Sequence, residues 1–220
     1  MPPTDRLLAF VALATVIIVI PGPSVLFVLG RALAHGRRTA LLSVVGNTLG
    51  SLLLVGGIAL GLGPLLAGSA LALTALKLGG ASYLVYLGVK AYRHRGTLVA
   101  AFEAVAPAEG VAAPRGDLRT LGEGLVVGVS NPKTLVFYAA VLPQFVARGE
   151  GTAPVPLQLL VLGLIFNLIA LTCDSAWGLA SSAARSWFAR SPRRLRAVGG
   201  AGGLAMIGLG VTVAATGRTD

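Results

Sequence analysis

The longest uncharged stretch of this 220-residue chain runs for 38 residues, from Thr39 to Leu76. Continuous apolar runs include Ala14–Ile20 and, within the uncharged stretch, Leu52–Leu62. A soluble domain carries about 25% charged residues, whereas this chain carries 12% and has a mean hydropathy of +0.83. Membrane β-barrels alternate polar and apolar residues, which these runs do not. The pattern therefore predicts an all-α membrane protein, with room for about six spans of about 20 residues each and for no soluble catalytic domain.

We predict six transmembrane helices in a single transmembrane domain, residues 1–220. The stretch 39–76 is too long for one helix in a bilayer about 30 Å thick, and helix-breaking residues predict a tight hairpin within it: Gly61, Gly63, Pro64, Gly68 and Ser69. Residues of about 92–119 are polar, with charges of both signs, and are expected to form a loop. The predicted spans are about 7–30, 39–62, 70–91, 121–146, 157–181 and 197–216.

The basic residues predict the orientation of these spans. Thirteen Arg and Lys residues follow spans 1, 3 and 5, whereas only Arg6, Arg148 and Arg218 lie on the other side. The positive-inside rule places the thirteen in the cytoplasm, so both termini and the even-numbered loops are expected outside. The net charge of +10 is then a consequence of topology, and we expect no nucleic-acid partner.

Prolines interrupt the first and fourth spans at corresponding positions. Span 1 contains Pro21-Gly22-Pro23, span 4 contains Asn131-Pro132-Lys133, and an offset of 111 residues aligns the first prolines of the two motifs. Such a proline can break a helix in mid-membrane. A repeat of three spans must be inverted relative to its copy, which predicts repeat A over about 7–91 and repeat B over about 120–216. Inverted repeats with broken helices are typical of the substrate sites of secondary transporters, although kinks that serve packing alone explain the prolines equally well.

Three ionisable residues lie well inside the predicted spans: Lys77, Lys133 and Asp174. Each costs about 3 kcal/mol at a helix centre on insertion scales, so such residues usually face the bundle interior and mark a transport pathway. The predicted depths bring Lys133, Asp174 and Asn47 together with the two proline breaks in one cavity. The alternative for Asp174 is a buried partner of Lys133 without a transport role. Lys77 lies in the outer half, where it either snorkels outward or gates the exit.

Other chemistry is poorly supported by the sequence. Cys173 is the single cysteine, which argues against an internal disulfide and against a membrane thiol–disulfide carrier. His35 and His94 are expected in loops, and without a cluster of Cys, His and carboxylates we predict no metal site and no cofactor. Glycine pairs four residues apart form small-residue faces that serve packing within the monomer or a homodimer seam: Gly46/Gly50, Gly57/Gly61 and Gly199/Gly203.

The order and spacing of several motifs resemble the lysine exporter (LysE/RhtB) superfamily, in its threonine and homoserine exporter-like branch. The resemblance runs nearly end to end through Pro21-Gly22-Pro23-Ser24, His35-Gly36-Arg37-Arg38, the Leu76-Lys77 to Gly88 segment, Asn131-Pro132-Lys133 to Phe145, and Asp174. It implies an inner-membrane exporter of amino acids or their derivatives, driven by the proton gradient, and not an enzyme. Substrates vary within the superfamily, and a metal exporter of the same superfamily is the alternative.

A zwitterionic substrate then suggests a role for each candidate residue. The broken helices, at Pro21, Gly22 and Pro23 and at Asn131 and Pro132, offer backbone N–H groups and a positive dipole end to the carboxylate, which Lys133 reinforces. Asp174 holds the ammonium group or the coupling proton, and Asn47 completes the substrate-binding set.

Overall fold

The structure is a computed structural model, and it describes residues 2–19, 22–68, 70–94, 116–149, 151–180 and 191–215. All regular structure in these ranges is helical, which confirms the predicted all-α class. The α-helices are α1 (Thr4–Val19), α2 (Pro23–Gly68), α3 (Ala70–Arg93), α4 (Asp117–Val129), α5 (Pro132–Val136), α6 (Val155–Leu179) and α7 (Pro192–Ala215). A π-helical turn, Phe137–Val141, and a 3₁₀ turn, Leu142–Phe145, continue α5.

Helix α2 is two helices that meet at Gly36. Gly36 has φ 83° and ψ 176°, a left-handed conformation that glycine adopts without a Cβ clash. The first arm of α2 continues span 1, and the second arm is span 2. This second arm extends to Gly68, beyond the predicted end of span 2 at residue 62. Of the five residues predicted to break the stretch, Gly61, Gly63 and Pro64 lie within the helix and Gly68 is its last residue, whereas Ser69 lies outside the described residues.

Two helices are long and apolar enough to cross a membrane, His35–Gly61 and Val155–Leu179. Two bent pairs also meet this condition when each pair is taken as one span. Thr4–Val19 and Ser24–Ala32 meet at 51°, and Asp117–Val129 and Pro132–Phe145 meet at 44°. Up to four of the predicted spans thus have helices that are long and apolar enough to cross a membrane in the described ranges. The spans predicted at 70–91 and 197–216 coincide with α3 and α7 but stay predictions as membrane spans.

Helix α6 shows how the described chain divides polar and apolar surface. Several of its leucines are exposed, among them Leu164 and Leu168 at 49% and 55%. Several of its polar residues are buried, among them Asn167 and Asp174 at 1% and 4%. This is the reverse of a soluble helix and is the arrangement of a membrane protein, in which polar groups face the bundle interior.

The helices pack closely where glycines face each other. A Cβ added to Gly46 or Gly50 of α2 would lie 2.2 Å from a carbonyl oxygen of α4, and Gly128 of α4 is equally close to the Asn47 carbonyl. The Gly46/Gly50 pair therefore serves packing within the monomer, one of the two predicted roles. Gly203 of α7 likewise meets the backbone of α3.

Helix α4 is also joined to α2 by ion pairs. Glu123 pairs with Arg31 of the first arm and with Arg119 one turn before it, and Asp117 pairs with Arg38 of the second arm. The second arm also packs against α6. The aromatic core lies between α1, α6 and the segment after α5, where the Phe137 and Phe166 rings are 4.8 Å apart. These contacts fix α1, α2, α5 and α6 around the point where the two bent pairs break.

Candidate functional site

The two helix breaks contact each other through Asn131. Its Oδ1 accepts a hydrogen bond from the backbone N–H of Lys133 at 3.1 Å and so caps α5. Its Nδ2 donates to Ser24 Oγ at 3.3 Å, which links the break before α5 to the start of α2. Pro132 occupies the first turn of α5, where its missing N–H is not needed.

The proline motif of span 1 is described in part. Gly22 is buried, Pro23 begins α2, and Pro21 lies outside the described residues. An added Cβ on Gly22 would lie 3.3 Å from Lys133 Nζ, so the small residue leaves room for this ammonium group. The break in span 1 thus lies against Lys133, which directly follows the break in span 4.

Lys133 is buried and reaches from span 4 to the end of α1. Its Nζ donates to the Ile17 carbonyl oxygen at 3.0 Å. Ile17 lies in the last turn of α1, where a carbonyl has no partner further along its own helix. A cation at a helix C-terminus also interacts favourably with the helix dipole. Lys133 therefore stabilises the first break, in addition to any contact that it makes with a substrate.

Asp174 is buried on α6 and faces the second arm of α2. Its Oδ2 accepts a hydrogen bond from Asn47 Nδ2 at 3.3 Å. The predicted juxtaposition of Asn47 with Asp174 is therefore present. Each buried charge has its own hydrogen-bond partner, the Ile17 carbonyl for Lys133 and the Asn47 amide for Asp174.

One small cavity is lined by four of the predicted residues, Asn47, Asn131, Lys133 and Asp174. Its remaining lining is polar toward α2 and α5 and partly apolar toward α1 and α6: Ser24, Thr48, Ser51, Thr134, Asn167, Ile18, Phe166 and Ala170. The cavity has a volume of about 20 Å³, which is room for about one water molecule and too little for an amino acid. An amino acid therefore fits in this cavity only when the helices around it move apart.

A hydrogen-bonded group beside the cavity was not among the sequence candidates. Tyr138 OH, in the π-helical turn, contacts Ser51 Oγ at 2.8 Å and accepts from Asn167 Nδ2 at 2.8 Å. The same Asn167 Nδ2 donates to the Gly163 carbonyl at 2.8 Å. The sequence marks Asn167 as a polar residue in a span. It does not mark Tyr138, because a tyrosine in an apolar run has the same pattern as an aromatic residue of the hydrophobic core.

Lys77 is not among the residues that line the cavity. It lies on α3, half-buried, one turn before Gly80. A Cβ on Gly80 would meet Ala140 Cβ of the π-helical turn at 2.1 Å, so this part of α3 packs against that turn. The predicted gate role of Lys77 is separate from the cavity formed by Lys133 and Asp174.

The described residues hold no group of three or more His, Cys, Asp or Glu side chains that could bind a metal ion. The site is instead a small polar cavity between two broken spans, with one buried cation and one buried carboxylate. A buried cation and a buried carboxylate inside a bundle of apolar helices are typical of a transport pathway, which indicates a membrane transport protein. The chain belongs to the LysE type translocator family, whose sequence model matches residues 15–217.

Relatives of the chain carry efflux functions. It is 26% identical over 206 residues, 94% of both chains, to the homoserine/homoserine lactone efflux protein of Salmonella typhimurium. It is 30% identical over 150 residues, 66% of this chain and 70% of the relative, to the threonine efflux protein of Escherichia coli K12. An uncharacterized membrane protein of Pseudomonas aeruginosa is 30% identical over 201 residues, 90% of this chain and 89% of the relative. No solved structure shows a significant match. The chain is a translocator rather than an enzyme, and the metal-exporter alternative is not favoured.

Proposed function

We propose that the chain is a secondary-active exporter of amino acids or amino-acid derivatives across the bacterial inner membrane, coupled to protons. The observation that carries this proposal is the burial of Lys133 and Asp174 in one cavity at the two helix breaks. The efflux of homoserine and threonine by two relatives supports the same class of substrate. A zwitterion carries one negative and one positive group, and the cavity offers one charge of each opposite sign.

The carboxylate of the substrate is assigned to the side of the cavity formed by Lys133 and Ser24. An ammonium group has three donors, so Lys133 can hold the Ile17 carbonyl and a substrate oxygen at once. The Ser24 hydroxyl, which accepts from Asn131, has its own hydrogen to donate. The backbone N–H of Lys133 is occupied by the Asn131 side chain, so side chains rather than this helix end provide the donors.

The ammonium group is assigned to Asp174, which also serves as the proton carrier. Asp174 binds either the substrate ammonium or a proton, because one carboxylate cannot neutralise both at once. A proton entering from outside therefore displaces the ammonium, and substrate leaves outward while the proton moves inward. Alternating exposure of the cavity to the two sides completes the cycle.

The proposed architecture is six spans in two inverted repeats, about 7–91 and about 120–216, with the loop of about 92–119 in the cytoplasm and both termini outside. The bent pairs support it, because their bends of 51° and 44° fall in the first and the fourth span. Rocking of one repeat against the other would open the cavity to each side in turn.

Counterflow in liposomes tests this function. Purified protein should exchange internal threonine or homoserine for external radiolabelled threonine. Threoninol, which lacks the carboxylate, should compete at least about tenfold less well than threonine, since a hydrogen bond to a charged group contributes about 1.5–3 kcal/mol. In Lys133→Met this preference should disappear, whereas Thr172→Val, a matched change on the exposed face of α6, should keep it.

Two results would contradict the proposal. Wild-type protein that exchanges no amino acid would remove the function. A Lys133→Met variant that folds and still prefers threonine to threoninol would remove Lys133 from the carboxylate site.

A further inference from the structure

Two asparagines in the cavity share an unusual pattern of hydrogen bonds. Asn47 uses its Nδ2 on Asp174, and Asn167 uses its Nδ2 on Tyr138 and on the Gly163 carbonyl. The Oδ1 atoms of both side chains are buried and have no hydrogen-bond partner within the described residues. Both side chains thus donate through their amide nitrogens and leave their acceptor oxygens unused.

These orientations are fixed by the neighbours. Reversing the Asn167 amide would place its oxygen against the Gly163 carbonyl, and reversing the Asn47 amide would place its oxygen against the Asp174 carboxylate. While Asp174 is ionised, as it is when it binds an ammonium group, both reversals would bring two acceptors together, so the observed orientation is the favourable one. A buried acceptor without a partner costs free energy, which a donor supplied by a ligand recovers.

The positions of the acceptors agree with one binding site. Asn167 and Asp174 are seven residues apart on α6 and lie on the same face of that helix. Asn47 lies opposite on α2, in contact with Asp174. All three residues line the cavity, at 7%, 1% and 4% exposure for Asn47, Asn167 and Asp174.

We infer that Asn47 and Asn167 are substrate-binding residues whose side-chain oxygens, with the Asp174 carboxylate, form a three-acceptor site for a primary ammonium group. This inference rests on the proposed function and adds to it the number of donors that the substrate must carry. A primary ammonium group has three N–H donors, one for each acceptor. A secondary amine such as proline or an N-methyl amino acid has only two and leaves one acceptor unpaired.

The site therefore selects by the amine of the substrate as well as by its charge. Tyr138 is a positioning residue here, because its hydroxyl accepts from Asn167 and holds that amide in the useful orientation. Ser51 in turn contacts the same hydroxyl. Sites built to hydrogen-bond a substrate group reject analogues that lack it, since the buried partner is then left unpaired.

Competition binding in detergent tests the inference first on the wild-type protein, with radiolabelled threonine as probe. Unlabelled threonine should compete at least about tenfold better than N-methylthreonine. 3-Hydroxybutyrate, which is threonine without its amino group, should compete more weakly still, and proline should compete poorly. Equal competition by threonine and N-methylthreonine would overturn the inference without any variant.

Variants then separate binding from structure. In Asn167→Leu, and independently in Asn47→Leu, the preference for threonine over N-methylthreonine should shrink by about tenfold. Thr172→Val, which removes a hydroxyl on the exposed face of α6, should keep the wild-type preference. Melting temperatures recorded for each variant identify any loss of fold.

The outcomes distinguish the two levels of the argument. Wild-type protein that binds no member of a panel of radiolabelled amino acids contradicts the proposed function itself. Folded variants that bind threonine and N-methylthreonine with the wild-type preference contradict the inference alone, and the two oxygens then bind only water in the 20 Å³ cavity.

Discussion

Replacing Asp174 by asparagine separates a transport role from a structural one. Asp174 Oδ2 accepts a hydrogen bond from Asn47 Nδ2 at 3.3 Å. The amide of the variant keeps the shape of the side chain, and its oxygen can accept the same hydrogen bond. Lys133 is not stranded by the change, because it has the Ile17 carbonyl as a partner at 3.0 Å. The lost attraction between the two charges is offset by removal of a carboxylate that costs about 3 kcal/mol to bury in a membrane. We expect the free energy of unfolding to change by less than about 1.5 kcal/mol, the contribution of one hydrogen bond.

Three measurements on Asp174→Asn give the test. Thermal unfolding in detergent should be close to that of the wild type. Substrate counterflow, which requires no net proton movement, should continue with weaker substrate binding, because a neutral amide oxygen replaces the charged partner of the substrate ammonium group. Export driven by a pH gradient should be lost, and Thr172→Val should retain all three properties. The reasoning would be refuted by a loss of about 3–5 kcal/mol of stability, the cost of stranding a buried charge, that Lys133→Met restores. A stable Asp174→Asn variant that still exports against a gradient would remove Asp174 from coupling and leave Lys77 as the other candidate.

Three further predictions concern packing, the cysteine and orientation. Gly50→Ala places a Cβ 2.2 Å from a carbonyl oxygen of α4 and should cost about 1–3 kcal/mol by overpacking, measured as a lower melting temperature. Gly57→Ala, with no atom of the described chain within 4 Å, is its matched control, and equal melting of the two variants would contradict the packing account. Cys173→Ala should export as the wild type does, whereas lost export at normal expression would revive a thiol mechanism. A reporter active only outside the cell should be active after Gly149 and silent after Arg95, and the reverse pattern would contradict the assigned orientation.

The sequence predicts the position of the site because its signals are local. A proline in an apolar run disrupts the backbone wherever the run packs, and an ionisable residue in a membrane must find the interior. Asn131, Lys133 and Asp174 stand out for these reasons. Asn47 was found by its depth in span 2, and the structure places it against Asp174.

The sequence does not predict the partners of these residues. The Lys133 ammonium binds a backbone carbonyl 116 residues away, and a carbonyl carries no residue-specific signal. The roles of Tyr138 and Ser51 depend on the π-helical turn, which changes the direction of the tyrosine relative to a regular helix. The orientation of the Asn167 amide is set by its two acceptors, and only coordinates reveal which atom is left free.

The ends of α2 show a different limit. Glycine and proline lower helix stability without ending every helix that contains them, and α2 continues through Gly61, Gly63 and Pro64 to Gly68. Gly36, by contrast, ends the first arm because its positive φ is incompatible with a continuous helix. Composition alone does not distinguish the two cases.

Export from intact bacterial cells tests the central claim most directly. Cells that overproduce the chain are loaded with a panel of radiolabelled amino acids, and release is followed with and without a protonophore. The account predicts that at least one amino acid leaves faster than from cells with an empty vector, that the protonophore abolishes the difference, and that Asp174→Asn cells behave like the empty-vector cells. If no amino acid is released faster although the protein is present in the membrane fraction, the claim that this chain is an amino-acid exporter is contradicted.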